Sequence, residues 1–435
     1  MTRVWLAMFA AAAVCSAASF TTATLENGLT VIASTDSTAP VVTICIAVRT
    51  GATCQTPGTC GLAHFYEHMF FKGNASLPDQ TAYNRRMRDL GIINNGMTSD
   101  EMVRYFITLP SDRLREGLEF MYYAIATPLF DEGEMESEKQ VILDEYARDT
   151  TSPFWDYWKA REQVLYPDAP WRADAIGTPE VISSADPSVM RAFQHEYYVP
   201  DNCALIVAGD VEPTDVFSLA AGIFPRWQGG GTSDYADLPV ITRIDRDTTV
   251  DLDSPSGVTY ISVDYAGPPL HLDPSETYAA DVWGSYLGRT SGRFYEDLVT
   301  NGPFLDISAS YFTERYEPVI SFGGSVPDGM GEEALSALRA EIDSLCSMSY
   351  YDDQDLHRAV ESLRRSRLFS EETAYDVAVE SLAFWWIEWG SLDYYRTYLD
   401  SVRAVTRGDI DRFIGTYLRE RPRVTFVMQP EGGSE

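Results

Sequence analysis

Apolar residues along the chain form two kinds of pattern, short strand-like runs and longer helical spacings, which together predict an α+β fold. Short runs rich in apolar and β-branched residues predict strands, which cover 29–33, 41–48, 102–109, 202–210, 258–263, 308–312, 318–323 and 424–428. Apolar residues three and four apart predict helices between these runs, including 59–71, 81–90, 111–125, 131–148, 276–287, 331–346, 352–370, 373–387 and 407–418. Strands and helices of this kind pack as sheets backed by helices.

The two halves of the chain end in the same pattern, which indicates an internal duplication. Phe193-x₃-Tyr197 recurs 220 residues later as Phe413-x₃-Tyr417, and an apolar strand follows each pair after a proline. A chain of 435 residues is also too long for one ordinary core. The expected division is a signal peptide at 1–19, a first domain at 20–228, a glycine-rich linker at 229–248 and a second domain at 249–435.

One short motif in the first half carries recognisable chemistry. His64, Glu67 and His68 have the spacing H-x-x-E-H, which places all three on one helix face. Two imidazoles four residues apart suit a tetrahedral Zn²⁺, and a carboxylate between them can take a proton from water at the metal. The alternative is an amphipathic helix that happens to carry two of the chain's five histidines. Shifting His64 by 220 residues reaches Gly284, so only the first half can hold this metal.

The segment 61–73, Gly-Leu-Ala-His-Phe-Tyr-Glu-His-Met-Phe-Phe-Lys-Gly, resembles the pitrilysin/insulinase metallopeptidases, which carry the inverted zinc motif H-x-x-E-H. The resemblance is strong over 24–228 and weaker afterwards. It implies two homologous domains, each a mostly antiparallel sheet packed with helices, as in processing peptidases. It also implies a zinc-dependent endopeptidase that hydrolyses peptides or unfolded segments in a closed chamber, with Glu67 as general base and one Zn²⁺ per chain.

The same resemblance implies the remaining metal ligand. In this family it comes from a Glu-x₆-Glu pattern on a later helix, which Glu138 and Glu145 match. Glu145 is then the third ligand beside His64 and His68, and Glu138 assists catalysis by orienting the site through a hydrogen bond. Asp144 is a rival ligand, but it projects about 100° away on the helix. Alternatively, both glutamates face solvent on a very acidic helix.

Substrate contacts are also implied by resemblance. Asn95 and Thr98 lie in a stretch that lines the family's cleft, where a substrate peptide adds to a sheet edge. Gly96 stands where the family usually has alanine, and Asn95 could instead be a turn residue before the next strand. Family members also use an Arg and a Tyr seven apart to polarise the substrate carbonyl.

The nearest match to that pair is incomplete. Arg293 is followed seven residues later by Thr300, and the nearby Phe304 has no hydroxyl. We therefore expect a dimer, either with a sister subunit that supplies the missing groups or with a second copy. In the second case Arg293 works alone or Tyr311 reaches into the site.

Charge and the N-terminal region limit the partners and the location. The chain has 65 acidic and 33 basic residues, a net charge of −32, which excludes nucleic acid as a partner. This charge fits solubility, or steering of cationic peptides. Arg3, the apolar run 4–14 and the small residues after it predict a signal peptide; a lipoprotein through Cys15 is the weaker alternative. No later stretch resembles an integral membrane segment, so we expect a periplasmic or extracellular protein.

Three further expectations complete the sequence-based interpretation. Cys54 and Cys60 flank a Pro-Gly turn and predict a disulfide before the zinc helix, with two thiols as the alternative. The single histidines are expected to be surface or packing residues: His195, His271 and His357. The competing functional hypothesis is a non-catalytic scaffold or core subunit of an envelope complex, with a purely structural zinc site.

Overall fold

The computed structural model describes residues 19–229, 235–254, 257 and 259–430. The expected signal peptide, apart from residue 19, and residues 230–234 of the expected linker lie outside the described residues. Among the described helices, none is both long enough and apolar enough to cross a bilayer.

Strands of the described residues form two sheets, one in each half of the chain. The first sheet contains β1 (Phe20–Thr24), β2 (Thr30–Thr35), β3 (Val41–Val48), β4 (Ile93–Thr98), β5 (Val103–Pro110) and β6 (Cys203–Gly209). The second contains β7 (Thr248–Asp253), β8 (Thr259–Ala266), β9 (Ser308–Tyr311), β10 (Val319–Val326) and β11 (Val424–Gln429). The predicted α+β class is confirmed.

Both sheets share one strand order. The first runs β1-β2-β6-β3-β5-β4 and the second β7-β11-β8-β10-β9, so the second repeats the first once β1 is set aside. In each sheet the first and last strands of the repeat pair in parallel, and the other pairs are antiparallel. The shared order supports the duplication inferred from the aromatic pairs. It also leaves β4 and β9 as corresponding edge strands.

Helices connect the strands and cover the sheets. In the first half they are α1 (Leu62–Phe70), α2 (Gln80–Leu90), α3 (Leu114–Ala126), α4 (Glu132–Asp149), α5 (Trp155–Leu165), α6 (Pro179–Ser184), α7 (Pro187–Tyr197) and α8 (Pro213–Ile223). In the second half they are α9 (Pro274–Leu287), α10 (Arg293–Tyr295), α11 (Gly331–Leu345), α12 (Asp353–Phe369), α13 (Ala383–Trp389), α14 (Asp393–Ala404) and α15 (Arg407–Tyr417). A π-helical segment, Asp376–Leu382, leads directly into α13.

Each half lends a helix to the sheet of the other half. Helix α5 packs on the second sheet, where the Tyr157 hydroxyl donates to Ser262 Oγ at 3.1 Å within a shared apolar cluster. The π-segment and α13 pack on the first sheet, where the Arg104 guanidinium donates to the carbonyl of Val379 at 2.8 Å. This reciprocal exchange joins the cores of the two halves, because the borrowed helix supplies buried apolar side chains to each.

Acidic side chains concentrate where the halves meet. The Glu101 carboxylate accepts the backbone N–H groups of Arg315, at 3.1 Å, and Tyr316, at 2.7 Å. Arg161 on α5 lies 3.5 Å from Asp264, which is fully buried on β8. Further buried acids lie around these groups. Together they form what we call the acidic seam, which consists of Asp100, Glu101, Asp264, Glu314, Glu317 and Glu388. Only groups that share protons or find cationic partners are tolerated at such depth.

The disulfide expectation is wrong. Cys60 carries a free thiol in the structure, so it is not joined to Cys54. Its Sγ instead lies 3.7 Å from the Pro57 carbonyl oxygen and 3.7 Å from the Thr178 hydroxyl. The turn before α1 is held by other contacts, since Gln55 bonds the backbone of residues 61, 171 and 174.

Candidate metal centre and active site

The sequence of α1 separates a packing face from a polar face. Phe65, Tyr66 and Phe70 are almost fully buried, whereas the His64 and His68 side chains keep 19% and 14% exposure. Gly61 precedes the helix with φ of 88°, and a Cβ there would lie 2.7 Å from the backbone oxygen of residue 176. A glycine is therefore required where the chain turns into α1, and the buried face then fixes where the histidines point.

Helix α4 supplies the opposing carboxylates. Its N-terminus is capped by Asp131, whose carboxylate accepts the N–H groups of residues 133 and 134. Met135, Glu138 and Ile142 follow at helical spacing and are buried, and Glu145 continues the same stripe. This stripe faces α1, so α4 presents two glutamates to two histidines.

Three of these side chains converge on one point. One oxygen of Glu145 lies 3.8 Å from His64 Nε2 and 3.5 Å from His68 Nε2. One ligand atom from each of the three residues lies within 4.8 Å of the others, and no second such His, Cys, Asp or Glu group occurs among the described residues. Two imidazole nitrogens and a carboxylate oxygen at this separation fit the ligand set of a catalytic zinc site, which leaves a fourth position open.

Electrostatics favour the neutral form of His64. Burial and, to a smaller extent, the neighbouring His68 lower the pKa of His64 to about 4. At neutral pH the ring is therefore uncharged and its Nε2 can donate a lone pair to a cation. The other ring nitrogen, Nδ1, is buried and has no hydrogen-bond partner among the described residues.

Glu138 is fixed by two partners at once. One oxygen lies 3.0 Å from His68 Nδ1, and the other lies 2.6 Å from Lys72 Nζ. Burial raises the pKa of the Glu138 carboxyl, but hydrogen bonds from His68 and Lys72 outweigh burial and lower that pKa overall. An ionised Glu138 accepts a hydrogen bond from the Nδ1–H group of His68. The ring proton is then on Nδ1, so Nε2 is unprotonated and faces Glu145.

Glu67 lies on the same face of α1, beside strand β4. The Thr98 hydroxyl donates to one Glu67 oxygen at 2.6 Å. Burial raises the pKa of Glu67 above its ordinary value, although the Thr98 bond opposes the rise. A Cβ at Gly96 would lie 2.7 Å from Cγ of Glu67, so the glycine gives this carboxylate its room. The adjacent Asn95 is exposed on β4, and its side-chain oxygen accepts the N–H of Gly96 at 3.0 Å.

The residues expected to polarise the substrate are placed elsewhere. Arg293 Nε donates to Asp297 at 3.1 Å, and its guanidinium lies 4.3 Å from the ring centre of Tyr350. The Tyr311 hydroxyl donates to the Pro268 carbonyl at 2.8 Å. These contacts lie within the second half, so the structure brings together His64, Glu67, His68, Glu138 and Glu145 but not Arg293.

Comparisons with known proteins decide the family. A model described as insulinase (peptidase family M16) matches residues 30–166, which contain α1 and α4. A model described as the peptidase M16 inactive domain matches residues 184–363.

The chain belongs to the insulinase family.

Relatives of this insulinase-family chain include proteins named as zinc proteases. An uncharacterized zinc protease of Bacillus subtilis is 27% identical over 188 residues, 43% of this chain and 46% of the relative. The zinc protease PqqE of Helicobacter pylori is 28% identical over 199 residues, 45% of each chain. The beta subunit of the mitochondrial-processing peptidase of Blastocladiella emersonii is 25% identical over 246 residues, 56% of this chain and 52% of the relative. The chain thus spans about half the length of the curated relatives it matches.

Solved structures share the whole fold. A protease from Helicobacter pylori superposes with a TM-score of 0.84 at 20% identity, over 95% of this chain and 100% of that one. A peptidase M16 inactive domain from Pseudomonas fluorescens superposes with a TM-score of 0.83 at 15% identity, over 95% and 98%. The periplasmic protease PqqL of Escherichia coli gives 0.76 at 18% identity, over 94% of this chain and 47% of that one. At these identities the likeness shows the two-domain fold.

Sequence reasoning missed three features of the site. It gave Lys72 no role. It expected Thr98 to contact the substrate, whereas Thr98 donates a hydrogen bond to Glu67. It treated Gly96 as a minor difference from the family's usual alanine and gave it no part in making room for Glu67. The first had a usable signal, because Lys72 follows His68 by four residues and so shares its helix face. The other two depend on how β4 packs against α1, which no local pattern encodes.

Proposed function

We propose that this protein is a zinc-dependent endopeptidase that hydrolyses peptides or unfolded polypeptide segments. The observation that carries the proposal is the convergence of ligand atoms of His64, His68 and Glu145 within 4.8 Å of one another. The Glu67 carboxylate lies on the same face of α1, where Thr98 donates a hydrogen bond to it. Membership of the insulinase family and relatives named as zinc proteases support a peptidase function. The scaffold hypothesis requires no such carboxylate next to the metal ligands.

The chain's own residues divide the work of hydrolysis. When bound, Zn²⁺ polarises the substrate carbonyl and lowers the pKa of a coordinated water. Glu67 takes a proton from the attacking water and returns it to the leaving amine, and its raised pKa suits this exchange. Thr98 holds one Glu67 oxygen, which orients the other toward the metal ligands. Glu138 keeps His68 in the tautomer that presents Nε2.

Edge strand β4 supports a substrate bound in extended form. It pairs with β5 on one side and, among the described strands, with nothing on the other. A peptide added to this edge gains main-chain hydrogen bonds without a strong demand on its side chains. Gly96 on β4 touches Glu67, so the added strand would pass directly by the general base.

A second subunit completes the proposed chamber. Arg293 and Tyr311 are held by contacts within the second half, so groups that polarise the carbonyl are supplied by a partner, either a sister chain or a second copy. Export to the periplasm or the exterior forms part of the same proposal. Cleavage of a quenched peptide by the protein alone, and after mixing with a sister chain, separates the two kinds of partner.

Substitution Glu67→Gln tests the function. Zinc content, measured by metal analysis, should stay at one ion per chain, while peptide cleavage should fall by roughly 100- to 10,000-fold because the proton acceptor is lost. Glu136→Gln, an exposed change on α4, is the matched control and should cleave like the unaltered protein. Full cleavage by the Glu67 variant would remove this residue from the mechanism, and absence of zinc from the unaltered protein would remove the peptidase proposal.

A further inference from the structure

Lys72 stands at the end of a short chain of contacts that leads to the metal ligands. Its ammonium nitrogen lies 2.6 Å from one Glu138 oxygen, and the other oxygen lies 3.0 Å from His68 Nδ1. The opposite ring nitrogen of His68 faces Glu145 at 3.5 Å. Each oxygen of Glu138 thus has its own partner, so the carboxylate cannot rotate without breaking one of the two bonds.

The position of Lys72 is set by the way α1 ends. The helix stops at Phe70, and a tight last turn follows in which the Lys72 N–H donates to the Met69 carbonyl at 3.1 Å. This turn keeps Lys72 on the His68 face and directs its side chain toward α4. The Lys72 side chain is only 11% exposed and that of Glu138 only 12%, so water screens their attraction weakly.

Lys72 also balances negative charge at the site. Glu67, Glu138 and Glu145 place three carboxylates around one small space. A divalent cation balances two negative charges and leaves one. Among the ion pairs of the described residues, Lys72 is the single lysine or arginine that pairs with any of the three.

The two histidines differ in how they are supported. His68 has Glu138 behind it, whereas Nδ1 of His64 is buried and has no hydrogen-bond partner among the described residues. Of the two histidine ligands, only His68 is therefore oriented by a hydrogen bond to a side chain among the described residues. A metal-binding histidine that is held by a carboxylate keeps one tautomer and one ring orientation.

We propose that Lys72 is a positioning residue for the metal centre: it clamps Glu138, and Glu138 fixes His68 so that Nε2 is presented to the cation. The proposal rests on the zinc binding that forms part of the proposed function. It assigns to the lysine after the H-x-x-E-H motif a part in metal affinity, separate from any stabilisation that a cation gives to a helix C-terminus.

Substitution Lys72→Met tests the clamp through zinc affinity, measured by competition with a chelator. Affinity should fall roughly 10- to 100-fold, the range known for partners that orient metal ligands. The visible spectrum of the Co²⁺-loaded protein should change as well. Lys72→Arg keeps the charge and should restore most of the affinity. Should the Met variant fold poorly, Lys72→Gln removes the charge while keeping a donor.

Lys139→Met is the matched control. This lysine is also little exposed, at 12%; it pairs with Glu136 on the same helix at 3.3 Å and donates to the Ser183 carbonyl on α6 at 3.1 Å. It has no contact with the metal ligands in the ion pairs described. Zinc affinity should be unchanged in this variant, and a loss equal to that of Lys72→Met would show a general effect of removing a buried lysine.

A double variant separates the clamp from a direct effect. If Lys72 acts through Glu138, then Lys72→Met added to Glu138→Gln should weaken zinc binding little further, because coupled residues are not additive. Full additivity, or unchanged zinc affinity in Lys72→Met, would overturn the clamp and leave the peptidase proposal intact. If the unaltered protein binds zinc but cleaves no peptide, the peptidase proposal fails while the clamp remains supported by the affinities.

Discussion

Two helix pairs occupy corresponding places in the two halves, and they meet in opposite ways. After β3, helices α1 and α4 face each other with histidines and glutamates. After β8, helices α9 and α12 also pack together, but there the Ser285 hydroxyl donates to the Ala359 carbonyl at 3.1 Å. The neighbouring Trp283 indole donates to the Tyr351 hydroxyl in a buried aromatic cluster. The same fold unit therefore holds a cluster of polar side chains in the first half and a packed core in the second half.

The contrast shows what a metal centre demands from this fold. Small side chains between α9 and α12 let the helices close on each other, which favours stability. Between α1 and α4 the facing side chains are large, polar and only partly exposed, so they need partners to offset their lost hydration. The second half can then act as scaffold for the first, and changes at matching positions should have unequal effects.

Removing the third ligand should have the largest effect. Glu145→Ala should weaken zinc binding by well over the roughly 100-fold seen when a supporting residue is lost, since a direct ligand is gone. Ser366→Ala is the matched change, because Ser366 holds the same place in α12 as Glu145 in α4 when the helices are aligned at their first residues. Metal analysis after dialysis measures both. Retention of zinc by the Glu145 variant would contradict the assigned ligand set.

Removing the ion pair between the two halves should have the second-largest effect. Arg161→Met leaves Asp264 buried beside no cation, and it should lower the free energy of unfolding by about 3–5 kcal/mol. Urea denaturation measures the change. The control is Arg243→Met, which breaks an exposed pair with Asp168 and should leave the free energy of unfolding nearly unchanged, because water screens that pair. Equal small losses would mean that the α5 contact does not hold the halves together.

The acidic seam predicts a stability that falls as pH rises. Burial raises the pKa of Asp100 to about 7 and raises the pKa of Glu388 and Glu317 as well. The folded chain therefore keeps protons that the unfolded chain releases above about pH 4–5. Each retained proton lowers the free energy of unfolding by about 1.4 kcal/mol per pH unit until the folded pKa is passed.

Glu388→Gln is the variant that tests the seam. It removes one titrating group, so its melting temperature should decline less between pH 5 and pH 8 than that of the unaltered protein. At pH 5 the two proteins should differ little, because Glu388 is then protonated in the folded state. A parallel decline in both proteins would show that Glu388 does not contribute to the pH dependence.

Crowding the general base should have the smallest effect. Gly96→Ala places a Cβ against Glu67 Cγ, so the carboxylate must shift by a fraction of an ångström. The rate of peptide cleavage should fall roughly tenfold, less than the hundredfold linked to a misplacement of about 1 Å. Zinc affinity should not change. Gly222→Ala, where nothing lies within 4 Å, is the control. Unchanged cleavage in the Gly96 variant would mean that Glu67 has spare room.

Local patterns predicted the elements that carry the site. The expected helices at 59–71 and 131–148 appear as Leu62–Phe70 and Glu132–Asp149, because apolar spacing, the Gly61 turn and the Asp131 cap are all encoded nearby. Family resemblance then selected Glu138 and Glu145 from a helix rich in acids. Composition alone could not have distinguished them from glutamates that face solvent.

Features that depend on distant packing could not be predicted. Strand β4 contains two asparagines and a glycine, which are poor strand formers, and it exists because β5 offers it a partner. The Cys54–Cys60 disulfide was inferred from spacing, yet the Cys60 thiol turns toward Thr178, more than a hundred residues away. The exchange of helices between halves likewise joins residues such as Tyr157 and Ser262, whose contact has no local signal.

The exchange of helices has a consequence for how the chain is made. Side chains from Ala374 to Tyr395 belong to the core that also contains β2, β3 and β6. A growing polypeptide released from its N-terminus onward exposes the apolar face of the first sheet until about nine-tenths of the chain has emerged. The first lobe, which contains the proposed metal site, can therefore complete its core only after most of the second lobe has been synthesised.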